Sequence, residues 1–184
     1  MIQKNRLEIT GQNTNFTFKG KRVLVLGLGL HGGGVGTVRY LAKAGAHVTV
    51  TDLKTRKELK SSLDKLAYLH GIRYALGQHR KEDLKDVDLV VKNPGIPPSS
   101  PYFRLIKKKG IHVTSDIGIF FAYCCGQIIG VTGTRGKSTT AYLIAKFLKH
   151  RKNPGNSRVF LGGNIRKSAL SFLPQVKKKD VAVL

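Results

Sequence analysis

The sequence predicts an α/β protein built on parallel sheets, and three observations carry that expectation. Two apolar runs of strand length, Arg22 to Leu26 and Gln127 to Ile129, each lead into a glycine-rich turn and then into a segment of helical spacing. Between them, short apolar runs alternate with amphipathic stretches, the mark of successive βα units whose strands lie parallel. The strand after the first unit ends on an acid, Asp52. Together these describe a Rossmann-like parallel-sheet N-terminal domain over residues 1–115, followed over 116–184 by the truncated start of a P-loop α/β domain.

In order along the chain, Arg22-Val23-Leu24-Val25-Leu26 reads as a buried strand and Gly27-Leu28-Gly29-Leu30-His31-Gly32 spells G-x-G-x-x-G. Helical spacing runs from Val35 to Ala44, with Gly45 placed to end the helix, and His47 to Thr51 is a second strand. Arg56 to His70 is expected to be a helix, and Ile72 to Leu76 and Asp88 to Lys92 strands. The loop Asn93-Pro94-Gly95-Ile96-Pro97-Pro98 excludes both helix and ladder; it is either a rigid turn or a ligand loop at the carboxyl edge of the sheet. Ser100 to Lys109 is helical, Ile111 to Thr114 a short strand, and Ser115-Asp116 a cap for the apolar helix that follows. The boundary near 115 is set by the end of one βα series and the start of a new strand, loop and helix at Gln127.

That second unit carries the sharpest chemistry. Gly130-Val131-Thr132-Gly133-Thr134-Arg135-Gly136-Lys137-Ser138-Thr139-Thr140 follows a strand and opens a helix expected over Ala141 to Leu148. Glycines let successive backbone N–H groups turn onto an anion, and the helix N-terminus adds its dipole. Lys137 reaches outer phosphates and the Ser138 hydroxyl suits Mg²⁺, so the ligand expected is ATP or GTP. The usual pattern has glycine where Val131 stands, and the first glycine sits one residue early, at Gly130. The plain alternative is a glycine-rich loop with a surface lysine.

Composition excludes several classes. No apolar stretch opens the chain as a signal peptide, and the patch from Ile117 to Cys125 is too short to span a bilayer, so a soluble, cytoplasmic chain is expected. The adjacent Cys124 and Cys125 read as buried, reduced thiols. A formal charge of +23 invites nucleic acid. The lysines are scattered along the chain, however, clusters such as Lys107-Lys108-Lys109 and Lys177-Lys178-Lys179 suit helix ends, and no RRM, KH or zinc-finger pattern accompanies them. Nucleic acid is therefore not the expected partner.

Between Asp116 and Asp180 there is no carboxylate, although a phosphate loop that performs chemistry needs one for Mg²⁺. The chain stops on the apolar run Val181-Ala182-Val183-Leu184, which reads as the front part of a longer protein or as a buried terminal strand. An unfinished sheet would expose a strand edge and apolar surface.

The order G-L-G-L-H-G, Val48 to Lys54 (V-T-V-T-D-L-K), Leu89 to Pro97 (L-V-V-K-N-P-G-I-P), G-V-T-G-T-R-G-K-S-T-T and Leu161 to Ile165 (L-G-G-N-I) resembles the Mur ligases over nearly the whole chain. It is most similar to the members that add D-glutamate to UDP-N-acetylmuramoyl-L-alanine in peptidoglycan synthesis. The resemblance implies a UDP-binding domain and the N-terminal part of a central ATPase domain. The activity it implies is an ATP- and Mg²⁺-dependent ligation, in which the alanyl carboxylate is phosphorylated and the resulting acyl phosphate is attacked by the amine of D-glutamate. It implies ATP contacts at Gly133, Thr134, Arg135, Gly136, Lys137, Ser138 and Thr139, with Lys137 on the outer phosphates as the catalytic residue and Ser138 on the metal. Leu30, His31, Asp52, Gly95 and Asn164 match substrate-contacting positions.

His31 stands where relatives carry Ser or Thr, and Arg135 where they carry Asn; Arg135 either adds charge to the phosphates or points at solvent. The family's Mg²⁺-binding glutamate and modified lysine have no counterpart in these residues, nor has its amino-acid-binding domain, so the 184 residues alone are expected not to catalyse ligation. The alternatives are an L-alanine-adding relative and a binding module for NAD(P) or a UDP-sugar.

Overall fold

The computed structural model describes residues 17–150, 157–163 and 168–184. Five strands, β1 (Arg22–Leu26), β2 (His47–Asp52), β3 (Arg73–Leu76), β4 (Leu89–Lys92) and β5 (His112–Thr114), form one parallel sheet in the order β3-β2-β1-β4-β5. The order turns back at β1, whose neighbours are β2 on one side and β4 on the other. Ligands of open parallel sheets bind at such a reversal, beyond the carboxyl ends of the strands. The pattern follows from sequence: β1 and β4 are apolar throughout their centres because helices cover both faces.

Helix α1 (Gly33–Lys43) packs Val35, Val38 and Leu41 onto the sheet, while α3 (Pro101–Lys108) buries Tyr102, Phe103 and Ile106 on its other face. Ser100 caps α3 by accepting from the Phe103 N–H, and Ser115 caps α4 (Asp116–Tyr123) by accepting from Gly118, as its position before the apolar run predicts.

The helix expected over Arg56 to His70 is a correction. Only α2 (Lys60–Asp64) is helical. Around it Lys60, Ser62, Leu66, Ala67 and Leu69 donate to carbonyls three residues back, a tighter winding than the α-helix. The Ser62 hydroxyl is drawn into the core to donate to the Gly29 carbonyl, 2.7 Å away. A regular helix is given up for that contact and for burial of Leu59 and Leu66.

A second parallel sheet has β8 (Val181–Val183) between β6 (Gln127–Ile129) and β7 (Val159–Leu161). The β7 strand, the three apolar residues between Asn153-Pro154-Gly155-Asn156 and Gly162-Gly163, was not singled out from sequence. Helix α5 (Lys137–His150) starts four residues before its expected apolar stretch and lays Ala141 and Ala145 on Val183. Its outer face leaves Tyr142, Leu143 and Phe147 between 54% and 68% exposed, and β6 is an open sheet edge, in line with the apolar surface expected of this segment.

One continuous core joins the two sheets. Phe120 of α4, fully buried, meets Phe172 edge-on at 5.5 Å, and the turn around Ala169–Ser171 packs against α1 and α4, with Leu173–Gln175 beside it. A phenylalanine buried in this way contributes about 2–3 kcal/mol. Asp180, without solvent exposure, accepts from the Arg158 backbone and guanidinium and from the Lys177 N–H; the guanidinium holds its carboxyl far below the usual range. Of the two thiols, Cys124 is buried and pushed up by burial, whereas Cys125 is exposed, against expectation, because it lies past the end of α4 at the start of the turn into β6.

Candidate functional site: two glycine loops at carboxyl edges

The loops after β1, β2 and β4 meet at one edge because their strands are adjacent and parallel. Asp52 organises them. Its Oδ2 accepts from the N–H groups of Leu28 and Gly29 at 2.8 and 3.0 Å, and its Oδ1 accepts from Lys54 at 2.9 Å. A carboxylate offers about four lone-pair directions, so three are taken by the chain itself and one on Oδ1 is left. Gly27 donates to the Thr51 carbonyl at 2.8 Å. The other side of the loop is held by Asn93, whose amide N–H donates to the Gly27 carbonyl at 3.3 Å while its oxygen accepts from Gly95 at 3.0 Å.

Side chains of Asp52, Ser62 and Asn93 thus fix the Gly27 to Gly29 backbone and leave the tip beyond it exposed. Leu30 is 42% exposed and His31 exposed at that tip, Leu53 is 64% exposed on the neighbouring loop, and Gly95 is exposed across from them. Leu30, His31, Asp52 and Gly95, four of the positions singled out from sequence, therefore gather at one edge. Asn164, the fifth, lies outside the described residues.

Sequence reading missed Ser62, Asn93, Lys92 and His79. Lys92 extends along β4 and donates to the carbonyls of Asn93 and Ile96 at 3.3 and 2.9 Å, holding the proline loop closed, with its ammonium 5.5 Å from the Phe103 ring. His79 shares a 2.8 Å hydrogen bond between its Nδ1 and the Thr51 hydroxyl and stacks on Tyr102 at 4.7 Å. Burial pushes its pKa down, against the opposing pull of Asp52 and Asp83, so the imidazole is neutral near pH 7. The Asn-Pro-Gly signature was a usable signal for Asn93; nothing in the pattern marks Ser62.

The second loop, Gly130 to Gly136, joins β6 to α5. Gly136 takes φ 77°, a left-handed conformation that turns the chain into the helix. Among the described residues no protein acceptor takes the N–H groups of Gly133 to Gly136, and the Lys137 ammonium folds back to donate to the Gly133 carbonyl at 2.5 Å. Ser138 and Thr139 are exposed in the first turn of α5, as is Arg135 just before it. Free amides, a helix start and the Lys137 ammonium are the groups from which an anion nest is built. The metal side is thinner. Among the described residues no group of three or more His, Cys, Asp or Glu could hold an ion, and Asp180 is committed to Arg158, so only hydroxyls, Ser138 in the first turn of α5 among them, stand near the loop as oxygen donors.

Residues 21–115 match the family described as Mur ligase MurD-like, N-terminal domain. The chain belongs to the MurD-like Mur ligases. It is 45% identical over 165 residues to the UDP-N-acetylmuramoylalanine--D-glutamate ligase of Roseiflexus sp. (strain RS-1), and 46% identical over 167 residues to the protein of the same name from Borreliella afzelii (strain PKo). Both matches take in 90% of the chain and 34% and 35% of the relatives, so the chain spans about a third of the length of these curated relatives. Among solved structures, the UDP-N-acetylmuramate:L-alanyl-gamma-D-glutamyl-meso-diaminopimelate ligase of Neisseria meningitides superposes with a TM-score of 0.50 at 20% identity. The match covers 89% of this chain and 52% of that one and shows a shared fold. Among the described residues no helix is long and apolar enough to cross a membrane.

Removing the Asp52 carboxylate strands the N–H groups of Leu28 and Gly29 inside the protein, at about 1–3 kcal/mol for each buried donor. Asp52→Ala is expected to lower the unfolding free energy by about 3 kcal/mol in urea denaturation. Asp52→Asn keeps an oxygen for that pair and should cost about half as much; equal costs would mean that the loop does not depend on this acceptor.

Proposed function

We propose that this chain forms the UDP-substrate domain, residues 1–115, and the N-terminal part of the ATP-binding domain, residues 116–184, of a cytoplasmic ligase that adds D-glutamate to UDP-N-acetylmuramoyl-L-alanine for peptidoglycan. The observation that carries this reading is the pairing of two glycine loops, each at the carboxyl edge of its own parallel sheet, in a chain 45% identical to D-glutamate ligases across 90% of its length.

The chemistry follows from the substrates. A carboxylate has no good leaving group, and transfer of a phosphoryl group from ATP supplies one, so that an amine displaces phosphate and forms the amide. The residues of this chain position and neutralise charge. The tip at Leu30 and His31, with Gly95 opposite, receives the UDP moiety, His31 offering an imidazole N–H. The free Oδ1 direction of Asp52 serves the uridine. The amides of Gly133 to Gly136 cradle the nucleotide phosphates, Lys137 swings from the Gly133 carbonyl to the outer phosphates, and Ser138 would hold Mg²⁺, which would neutralise phosphate charge. Asn164 contributes near the substrate in the central cleft.

Calorimetric titration tests the reading. UDP-N-acetylmuramoyl-L-alanine is expected to bind the chain and NADH is not, which separates a Mur substrate domain from a dinucleotide module. Binding of NADH with the UDP-sugar ignored would reverse the assignment. Because the loop lacks a carboxylate partner for Mg²⁺, the chain is expected to bind ATP without D-glutamate-dependent turnover.

A further inference from the structure

Lysines that are scattered in sequence are gathered by the fold. In a parallel βα sheet every helix runs back against the strands, so helix C-termini and strand N-termini share one edge. At that edge of the first sheet stand Lys19 and Lys21 before β1, Lys43 at the end of α1, Lys85 in the turn before β4, and Lys108 and Lys109 at the end of α3. Their side chains are exposed apart from Lys21, which is half-buried. Hydrogen bonds from Gly20 to Gly45 and from His47 to Lys21, both 2.8 Å, bring the turn after α1 beside the entry to β1. An open groove of about 460 Å³ lies there, lined by Lys19, Gly20, Lys21, Arg22, His47 and Asp88.

The acids of this edge are already engaged. Asp86 pairs with Arg22 at 3.4 Å; Asp88 accepts from the Arg22 N–H at 2.7 Å and keeps its charge in the groove, where Lys19 and Lys21 outnumber it. Helix dipoles account for Lys43, Lys108 and Lys109, but Lys19 and Lys21 follow no described helix. The substrate does not account for them either, since the five residues of β1 separate this edge from the Gly27 loop by roughly 16 Å.

We propose that this edge is a second binding surface, for the phosphate backbone of duplex nucleic acid, contacted through charge and without base reading. The chemistry of the rim selects that partner among polyanions. None of the large apolar side chains that are exposed falls within 19–22, 43–47, 85–88 or 107–112. Tyr68, exposed in the connection before β3, already lies under the Arg39 guanidinium. A lipid surface needs an apolar anchor besides a basic patch, and single strands need free stacking platforms; between β2 and β5 this edge has neither. From β2 to β5 it extends three strand spacings, about 14 Å, enough to face about three or four phosphates.

Fluorescence anisotropy of the chain with a labelled duplex of arbitrary sequence tests this. Log K is expected to fall linearly with log salt with a slope of about −3. The triple variant Lys19→Glu, Lys21→Glu, Lys108→Glu should weaken binding by about 30-fold or more at low salt, and its neutral counterpart with glutamine at the three positions by about tenfold. A control triple with the same change in net charge away from this edge, Lys57→Glu, Lys81→Glu, Lys146→Glu, should stay within about threefold. Circular dichroism confirms that each variant is folded. Equal losses in the two glutamate triples, no binding by the parent chain, or binding to phosphatidylserine vesicles with the duplex ignored would each overturn the proposal.

Discussion

Lys137→Ala is expected to weaken ATP binding by about 100-fold, close to 2.7 kcal/mol, without loss of fold. Among the described residues the N–H groups of Gly133 to Gly136 have no protein acceptor, and amides alone bind phosphate without distinguishing how many phosphates follow. The ammonium supplies that distinction. In the structure it lies on the Gly133 carbonyl at 2.5 Å, a neutral acceptor that it can leave for an anionic oxygen. A charged hydrogen bond contributes about 1.5–3 kcal/mol, so its loss accounts for most of the expected effect. The deficit should be largest for ATP, smaller for ADP and nearly absent for AMP, whose single phosphate the amides can hold. Arg135→Asn makes a smaller change of the same kind if the guanidinium faces the phosphates, about fivefold for ATP, and none if it faces solvent. A fluorescent ATP analogue that binds the parent chain and the Lys137→Ala variant equally would remove Lys137 from the site.

Most of the first sheet was legible because its elements obey local rules. The β1 and β4 strands are uninterrupted apolar runs, Ser100 and Ser115 stand where caps belong, and Gly45 follows the last turn of α1. The region from Arg56 to His70 failed for a tertiary reason: its spacing is helical, but Ser62 has to reach the Gly29 carbonyl, a contact that no local pattern encodes. No expectation was made for Val159–Leu161, three apolar residues whose strand is defined by pairing with β8. The same contrast runs through the site. Gly-rich motifs mark loops suited to an anion, whereas the residues that set the loop's shape, Asp52, Ser62 and Asn93, act across distances of 23 to 66 residues. Asp52 was visible for its place after a strand, and the structure adds a reason for an acid there: two amides of the Gly loop share one of its oxygens.

The glycine with the largest expected effect is outside the G-x-G-x-x-G spelling. Gly34, in the first turn of α1, faces the backbone of the loop it follows: a Cβ there would lie 2.2 Å from the Leu28 carbonyl oxygen and 2.8 Å from its Cα. Neither atom can yield, because the Leu28 N–H is pinned by Asp52 and its side chain is fully buried. Gly34→Ala must therefore push α1 away from β1 or unseat the loop. Overpacking of this kind costs about 3 kcal/mol or more, roughly 10 °C in melting temperature for a protein of this size. Gly33, one residue earlier, is the matched control. A Cβ at Gly33 meets nothing within 4 Å, and its φ is not among the positive ones, so Gly33→Ala should be neutral or stabilising by up to about 1 kcal/mol. The two variants differ by one position and carry the same added methyl group, so propensity and unfolded-state entropy cancel between them. What remains is the contact with Leu28. The Gly34→Ala variant should also lose measurable affinity for the UDP-sugar at temperatures where it is still folded, because the displaced Leu28 carries the Gly29 to Gly32 tip with it. If calorimetry gave both variants the melting temperature and ligand affinity of the parent, the close seat of α1 on the loop would have no part in shaping the site.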